Sequence, residues 1–351
     1  MKEQCYTAIM KCIETVHASG HVLCHDLTRI VPGEMKDAQF RKGHVVTEED
    51  IPMLLSMGKD HLFVWEVDEH TLHENDAADR LAALCESEHM HRSEVKEGKI
   101  ELIADCDGLF QVDVERLDAV NELDEIMIAT RHTNTAVKAG DKLCGTRVIP
   151  LVIDEGKLAE AKRVAGDAPL VKLMPFQRGM TAGIVTTGNE VFHGRIQDKF
   201  TPVVEKKLNG FGITVTEKRV CDDQIEHITA AIAEVRNAHV DVVLCTGGMS
   251  VDPDDMTPAA IKQSGAHIVT YGAPVLPGAM FLLGYYEEDG VPVMGLPGCV
   301  MYATASIFDI VLPRIAAGVR MEKRDLTRLG NGGMCLRCET CTFPNCGYGK
   351  E

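Results

Sequence analysis

Between residues 181 and 318, short apolar runs alternate with amphipathic stretches at nearly regular intervals. Thr181 to Thr186 is an apolar run of strand length bounded by turn residues. Gln197 to Leu208 sets Phe200, Val203, Val204 and Leu208 at helical spacing, and Ile213 to Val220 predicts the next strand. Ile225, Ile228, Ile232 and Val235 mark a second helix, followed by the strand-like Val240-Asp241-Val242-Val243-Leu244-Cys245. Thr257-Pro258 opens a further helix, since proline is tolerated in a first turn. Strands near His267 to Thr270, Ala279 to Leu283 and Val291 to Met294 lead to a helix from about Met301 to Ala317. Such repeated alternation predicts an α/β fold: a three-layer, mainly parallel sheet with helices on both faces.

Residues 1 to 175 follow a different pattern and predict a mixed, partly β-rich α+β region. A helix is expected over Thr7 to Ala18, then a Pro32-Gly33 turn, a helix at Glu49 to Met57, a strand at His61 to Val67 and a helix at Glu74 to Cys85. From Lys99 to Ile153 the pattern turns β-rich, with Phe110, Val112 and Val114 alternating. The expected organisation is therefore an N-terminal region over 1–175, an α/β domain over 176–325 and a cysteine-rich tail over 326–351.

Composition narrows the function. The formal charge is −17, so neither nucleic acid nor an anionic membrane is attracted by the overall field. Val291 to Phe308 is uncharged, but Pro292, Pro297 and Gly298 divide it, so no membrane span is expected. Nine of the thirteen cysteines are scattered irregularly over the first 299 residues, and Met1-Lys2-Glu3-Gln4-Cys5-Tyr6 opens no apolar leader. A reducing cytoplasmic setting is the expectation.

The most informative stretch is Thr246-Gly247-Gly248-Met249-Ser250-Val251-Asp252-Pro253-Asp254-Asp255-Met256-Thr257-Pro258. It joins a glycine turn, a carboxylate cluster and a helix start directly after a strand. Glycines allow a sharp turn and bring backbone N–H groups close to an anion. The carboxylates cannot hold a phosphate themselves, but they can hold Mg²⁺, which bridges to one. Glu190 follows another strand, after Thr187-Gly188, and Asp222-Asp223 follows a third. Three acidic loops on one sheet edge point to a cation or a metal-bound anion among them. The plainer alternative makes Asp223 and Asp255 helix N-caps.

The order of these motifs resembles the molybdopterin-binding fold of molybdopterin adenylyltransferases and molybdotransferases, the last enzymes of molybdenum-cofactor assembly. Thr187-Gly188-Asn189-Glu190-Val191, Asp222-Asp223, the glycine–aspartate run, Leu276-Pro277-Gly278 and Gly295-Leu296-Pro297-Gly298 occur in the expected sequence. Leu23-Cys24-His25-Asp26-Leu27 and Pro32-Gly33 look like the molybdotransferase entry segment, whereas that family's N-terminal Thr-Gly signature, which faces the partner subunit's site, is not found. The resemblance implies that Glu190, Asp222 or Asp223, and Asp255 hold Mg²⁺ or handle molybdate. It implies that Thr187, Gly188, Thr246, Gly247, Gly248 and Ser250 meet the pterin phosphate, and that Pro277, Gly278, Pro297 and Gly298 shape the remaining pocket. Adenylyl transfer from ATP would then need positioning and charge neutralisation rather than a side-chain nucleophile. Two departures stand out: Ala279-Met280 where the family places Lys, and Cys299 where it places Asn.

The tail carries a separate signal. Cys335, Cys338, Cys341 and Cys346 form C-x2-C-x2-C-x4-C, a spacing that suits an iron–sulfur cluster or Zn²⁺. His17, His21 and His25 have helical spacing, but Gly20 between them argues against a joint metal site; His70, His73, His89 and His91 are expected to be solvated. The leading expectation is a cytoplasmic, homo-oligomeric transferase of the adenylyltransferase or molybdotransferase kind. It would act on molybdopterin or its adenylylated form with Mg²⁺, and with ATP or molybdate as co-substrate. The alternative is a non-catalytic carrier or sensor whose cysteine tail responds to redox state or metal. In both cases a molybdoenzyme or another cofactor-assembly protein is the expected partner.

Overall fold

The computed structural model describes residues 10–31, 35–65, 70–250 and 252–350. The chain forms two compact units. The first comprises Met1–Ile103, Asp113–Thr130 and Lys142–Lys172, the second Ala104–Val112, Arg131–Asp141 and Leu173–Glu351.

In the first unit, Met10–Glu14 is a strand paired antiparallel with His61–Trp65, where the sequence pattern predicts a helix from Thr7 to Ala18. Ile13 is β-branched and stiff at χ1, which favours extended backbone, and only Thr15–His17 of the expected helix is helical, as one 3₁₀ turn. Ile13 also packs against the buried Leu62 and Val64 cluster, so tertiary packing decides for the strand. Residues 7–9, the Pro32-Gly33 turn and the predicted end of the strand at residues 66 and 67 lie outside the described residues. A four-stranded sheet, ordered Met90–Arg92, Lys99–Ala104, Lys142–Val148, Ile126–Thr130, is flanked by the helix Glu74–Cys85. Val114–Asn121 is helical rather than a continuation of the Phe110/Val112 alternation. Asp113 causes the switch: its carboxylate accepts the Arg116 N–H at 3.2 Å and caps the helix.

His73 is buried, not solvated as its polar neighbours suggest. Its Nε2–H donates to the Cys24 carbonyl at 2.5 Å, and its Nδ1 accepts the Asn75 N–H at 3.2 Å, capping helix Glu74–Cys85. Burial, with the positive charge of Lys42 added, holds its pKa below the ordinary value.

The main sheet of the second unit has six strands: β1 (Thr181–Thr187), β2 (Thr214–Cys221), β3 (Val242–Thr246), β4 (His267–Tyr271), β5 (Leu282–Tyr285) and β6 (Pro292–Leu296). Their spatial order is β2-β1-β3-β6-β5-β4. The pairs β1/β2, β1/β3 and β3/β6 are parallel, while β5 runs antiparallel to β6 and β4. The sheet is thus parallel over four strands with an antiparallel edge. The helices are α1 (Asn189–Phe192), α2 (Phe200–Asn209), α3 (Ile225–Asn237), α4 (Thr257–Gln263), α5 (Ile307–Ala316) and α6 (Lys323–Thr327).

Alternate residues of each central strand point to opposite faces, and both faces are buried. Ile184, Val242, Leu244 and Met294 pack with Val204 and Leu208 of α2 and with Phe308 and Val311 of α5. Val185, Val243, Cys245 and Val293 pack with Ile228 and Ile232 of α3 and with Ala260 and Ile261 of α4. This is the three-layer α/β arrangement that the alternating runs predict.

Two helix starts differ from the sequence pattern. The helix expected from Gln197 begins at Phe200, because Asp198 accepts the N–H groups of Phe200 and Thr201 at 2.8 and 3.1 Å. The long helix expected from Met301 is instead a short 3₁₀ turn, Gly298–Met301, and then α5 from Ile307. A capping box fixes that start: the Asp309 carboxylate accepts both the Ser306 N–H (2.8 Å) and its hydroxyl (2.9 Å). Lys207 Nζ reaches the Asp309 carboxylate at 2.5 Å and the Thr304 carbonyl at 3.4 Å, holding residues 302–306 as an ordered loop.

Candidate functional site at the switch of the sheet

From β1 the chain moves outward to β2, then crosses back to place β3 on the other side of β1. The strand order therefore reverses between β1 and β3, and loops leaving their carboxyl ends diverge. Such a crevice is where open α/β sheets bind ligands. A cavity of about 1000 Å³ lies there. Among the residues singled out from the sequence, Thr187, Gly188, Glu190, Asp223, Thr246, Gly247, Gly248 and Asp255 line it. Asp198, Lys199, Asp252, Asp254 and Met301 line it as well.

A network of threonine hydroxyls fixes the glycine turn. Thr257 Oγ1 donates to the Gly247 carbonyl at 2.9 Å and lies 3.1 Å from Thr187 Oγ1. One layer below, Thr186 Oγ1 lies 3.0 Å from Thr201 Oγ1 and accepts from Thr246 Oγ1 at 3.4 Å. Gly247 and Gly248 have φ of +88° and +53°. A Cβ on Gly247 would stand 2.3 Å from the Thr187 carbonyl oxygen, and one on Gly248 would stand 2.9 Å from Thr257 Oγ1. Glycine is therefore required by the turn itself, so a bulky residue at 248 distorts the loop as well as any ligand contact. Tyr271, on β4, braces the same loop by donating to the Met249 and Ser250 carbonyls at 3.2 and 3.1 Å.

The two carboxylates after β2 take different roles. Asp222 turns to its own helix: Oδ1 accepts the Gln224 N–H at 3.1 Å and lies 2.8 Å from His227 Nδ1. Burial pushes this carboxyl up, but hydrogen bonds from His227 and Gln224 more than offset it and hold the pKa low. Asp223 instead faces the start of α1, accepting the Asn189 N–H at 2.9 Å. Burial, followed by the charges of Glu190, Asp222 and Asp255, pushes its carboxyl up against the effect of that hydrogen bond. Neither Asp223 nor Asp255 caps the helix that follows it, so the N-cap alternative does not describe them. The carboxylates are close enough to perturb one another, yet among the described residues no three His, Cys, Asp or Glu groups converge on a single ion.

Ser250 is exposed and does not line the cavity, nor do Pro277, Gly278, Pro297 and Gly298. Pro277 lines a second cavity of about 560 Å³, together with Cys335, Cys338, Cys341 and Cys346. The contributions of Thr186 and Tyr271 are not visible in any short motif, because their partners are remote in sequence. Asp198 ahead of an amphipathic run is a readable helix-start signal, since its partners Phe200 and Thr201 are local.

Comparison with known proteins relates the second unit to a described fold. Residues 183–317 match the family described as "Probable molybdopterin binding domain", and residues 12–66 match a "Domain of unknown function (DUF8806)". A CinA-like protein of Desulfosudis oleivorans is 39% identical over 85 residues, 24% of this chain and 20% of its own. One from Mycobacterium tuberculosis is 36% identical over 82 residues, 23% of this chain and 19% of its own. The match thus spans about a fifth of these curated relatives. Among solved structures, the tungsten cofactor synthesizing protein MoaB from Pyrococcus furiosus aligns at 19% identity and TM-score 0.34, covering 41% of this chain and 99% of that one. The molybdopterin biosynthesis moea protein from Pyrococcus horikosii aligns at 16% identity and TM-score 0.33, covering 70% and 79%. Among the described residues no helix is long and apolar enough to cross a membrane.

Proposed function

We propose that the second unit binds a phosphorylated pterin of the molybdopterin kind in the cavity between β1 and β3, and that the protein serves molybdenum-cofactor assembly as a carrier or sensor. The observation that carries this reading is the joint lining of one switch-point cavity by both glycine turns and the carboxylates Glu190, Asp223 and Asp255. The glycine turns bring backbone close to a phosphate, and Lys199 adds a cation to the wall. Mg²⁺ arriving with the phosphate fits the carboxylate set, because burial and then the charges of Glu190, Asp222 and Asp255 raise Asp223, and a divalent cation offsets those charges. It would neutralise phosphate charge there.

The carrier reading is preferred over adenylyl transfer on the residues that hold the reacting phosphates. Ala279-Met280 follows Pro277-Gly278 where a cation would assist, and Pro277 lines the cysteine cavity rather than the acidic one. Adenylyl transfer requires a pterin phosphate oxygen to attack the α-phosphorus of ATP while pyrophosphate leaves, and it depends on charge neutralisation at that point. Incubation of the protein with molybdopterin, Mg²⁺ and ATP under anaerobic conditions tests both. Retention of the fluorescent oxidised pterin without pyrophosphate release supports the carrier. Pyrophosphate release establishes a transferase, and absence of pterin retention removes the whole reading.

A further inference from the structure

The C-terminal segment is built into the second unit rather than appended to it. The Leu276 N–H donates to the Gly333 carbonyl at 2.7 Å, and the Cys335 N–H donates back to the Leu276 carbonyl at 2.8 Å. At the far end, the Tyr348 hydroxyl donates to the Pro277 carbonyl at 3.2 Å, and the Gly349 N–H donates to the Gly332 carbonyl at 3.0 Å. The two ends of the segment are thus tied to one another and to the Leu276-Pro277 loop. Between Cys341 and Cys346 the chain turns back on itself, with the Asn345 N–H donating to the Thr342 carbonyl at 2.7 Å. This fold makes all four cysteines line one cavity of about 560 Å³, whose other walls include Tyr302, Met334, Leu336 and Phe343.

We propose that Cys335, Cys338, Cys341 and Cys346 hold a [4Fe–4S] cluster in this cavity. A structural zinc ion needs four ligands at about 2.3 Å from a single point. Among the described residues no three such groups converge in that way, although the four thiols share one cavity. A cubane interposes its own sulfides between the thiolates and so suits ligands that surround a volume rather than a point. The walls are largely apolar but open, with Tyr302, Met334 and Leu336 exposed, so solvent reaches a cluster held there and helps to set its potential.

Met301 lines the switch-point cavity and Tyr302 lines the cysteine cavity, so consecutive residues of one turn face the two sites. Cluster binding nevertheless depends on the cysteine segment alone and stands whether or not the first cavity takes a pterin.

The test is anaerobic transfer of a synthetic [4Fe–4S] cluster bearing mercaptoethanol ligands to the full-length protein. Each cysteine loses its thiol proton and forms one Fe–S bond as one mercaptoethanol leaves, so no oxidant is needed. The expected result is iron and acid-labile sulfide in cubane stoichiometry on the protein, with a rhombic or axial electron-spin signal after dithionite reduction. C338S and C341S should lose cluster retention at least tenfold with an unchanged circular dichroism spectrum, since both side chains are exposed. C12S, an exposed cysteine of the first unit, should retain it fully. Failure to take up the cluster, equal uptake by C338S, or cobalt(II) binding with tetrathiolate charge-transfer bands instead of cluster uptake would each overturn the proposal.

Discussion

Asp223 combines a hydrogen bond to the start of α1 with burial and three negative neighbours, and its raised pKa records burial first and the neighbouring charges after it. A raised value means that the folded state binds the proton more readily than the unfolded chain. The corresponding stability is present below the ordinary aspartate pKa of about 3.9 and is lost as pH rises through the folded value. Asp223→Asn keeps an acceptor for the Asn189 N–H but removes the charge. Its thermal midpoint should exceed that of the parent at neutral pH, and the two should converge below about pH 4. A variant less stable at neutral pH would show that the hydrogen bond outweighs the crowding of charge. His73 has the opposite sign. Its lowered pKa means that the unfolded chain binds the proton first, so stability is lost as pH falls from the ordinary value of about 6.5 toward the folded one. His73→Asn retains capping ability without the titration, and should flatten part of this acid dependence in denaturant melts between about pH 7 and 5. His25, also lowered by burial first and then by Lys59, contributes in the same direction.

At the scale of elements, the glycine turn depends on a threonine that begins the next helix. Thr257 is fully buried, and its hydroxyl serves both the Gly247 carbonyl and Thr187. Thr257→Val preserves shape and leaves the Gly247 carbonyl without that donor, which costs about 1–3 kcal/mol. We expect a loss of that size in equilibrium unfolding and weakened ligand retention at the switch cavity. An unchanged midpoint would mean that the hydroxyl network does not hold the turn. The loop at 302–306 is similarly set by its flanks. Ser306 and Asp309 start α5, Lys207 clamps the approach, and the residues left outside the helix become walls of the cysteine cavity.

For the whole molecule, the C-terminal segment contributes to the second unit's core as well as carrying thiols. Tyr348 is buried, and Phe343, Cys335 and Cys346 pack against the same cluster as α5. The glycines at 330–333 mark the beginning of an integrated segment, not a flexible tether to an independent tail. A chain ending before Gly330 should therefore lose about 3 kcal/mol or more, from exposure of apolar surface around Ile310 and Pro277, and should melt at lower temperature even without metal. A truncated protein with the parent's midpoint would return the segment to the status of an appendage.

The order of strands and helices in the second unit was legible in the sequence because its sheet is buried on both faces. Apolar runs such as Val242 to Cys245, separated by amphipathic helices such as Ile225 to Asn237, permit few other architectures. The glycine and carboxylate motifs were legible for a related reason: backbone turns and clustered charge are local properties. What the sequence left open depends on contacts between remote positions. Met10–Glu14 became a strand because His61–Trp65 supplies its hydrogen bonds, and His73 became buried because the Cys24 carbonyl lies within its reach. Asp222 and Asp223 are neighbours with equal propensity, yet one faces His227 and the other faces Asn189. The Ser306–Asp309 capping signal is local and readable, but the uncharged stretch from Cys299 to Phe308 obscures it by extending the apolar pattern ahead of the true start. The spacing of four cysteines suggested a metal centre; that all four line one cavity follows only from the turn at 342–345 and the ties to Leu276 and Pro277, whose partners stand about sixty or seventy residues apart in the chain.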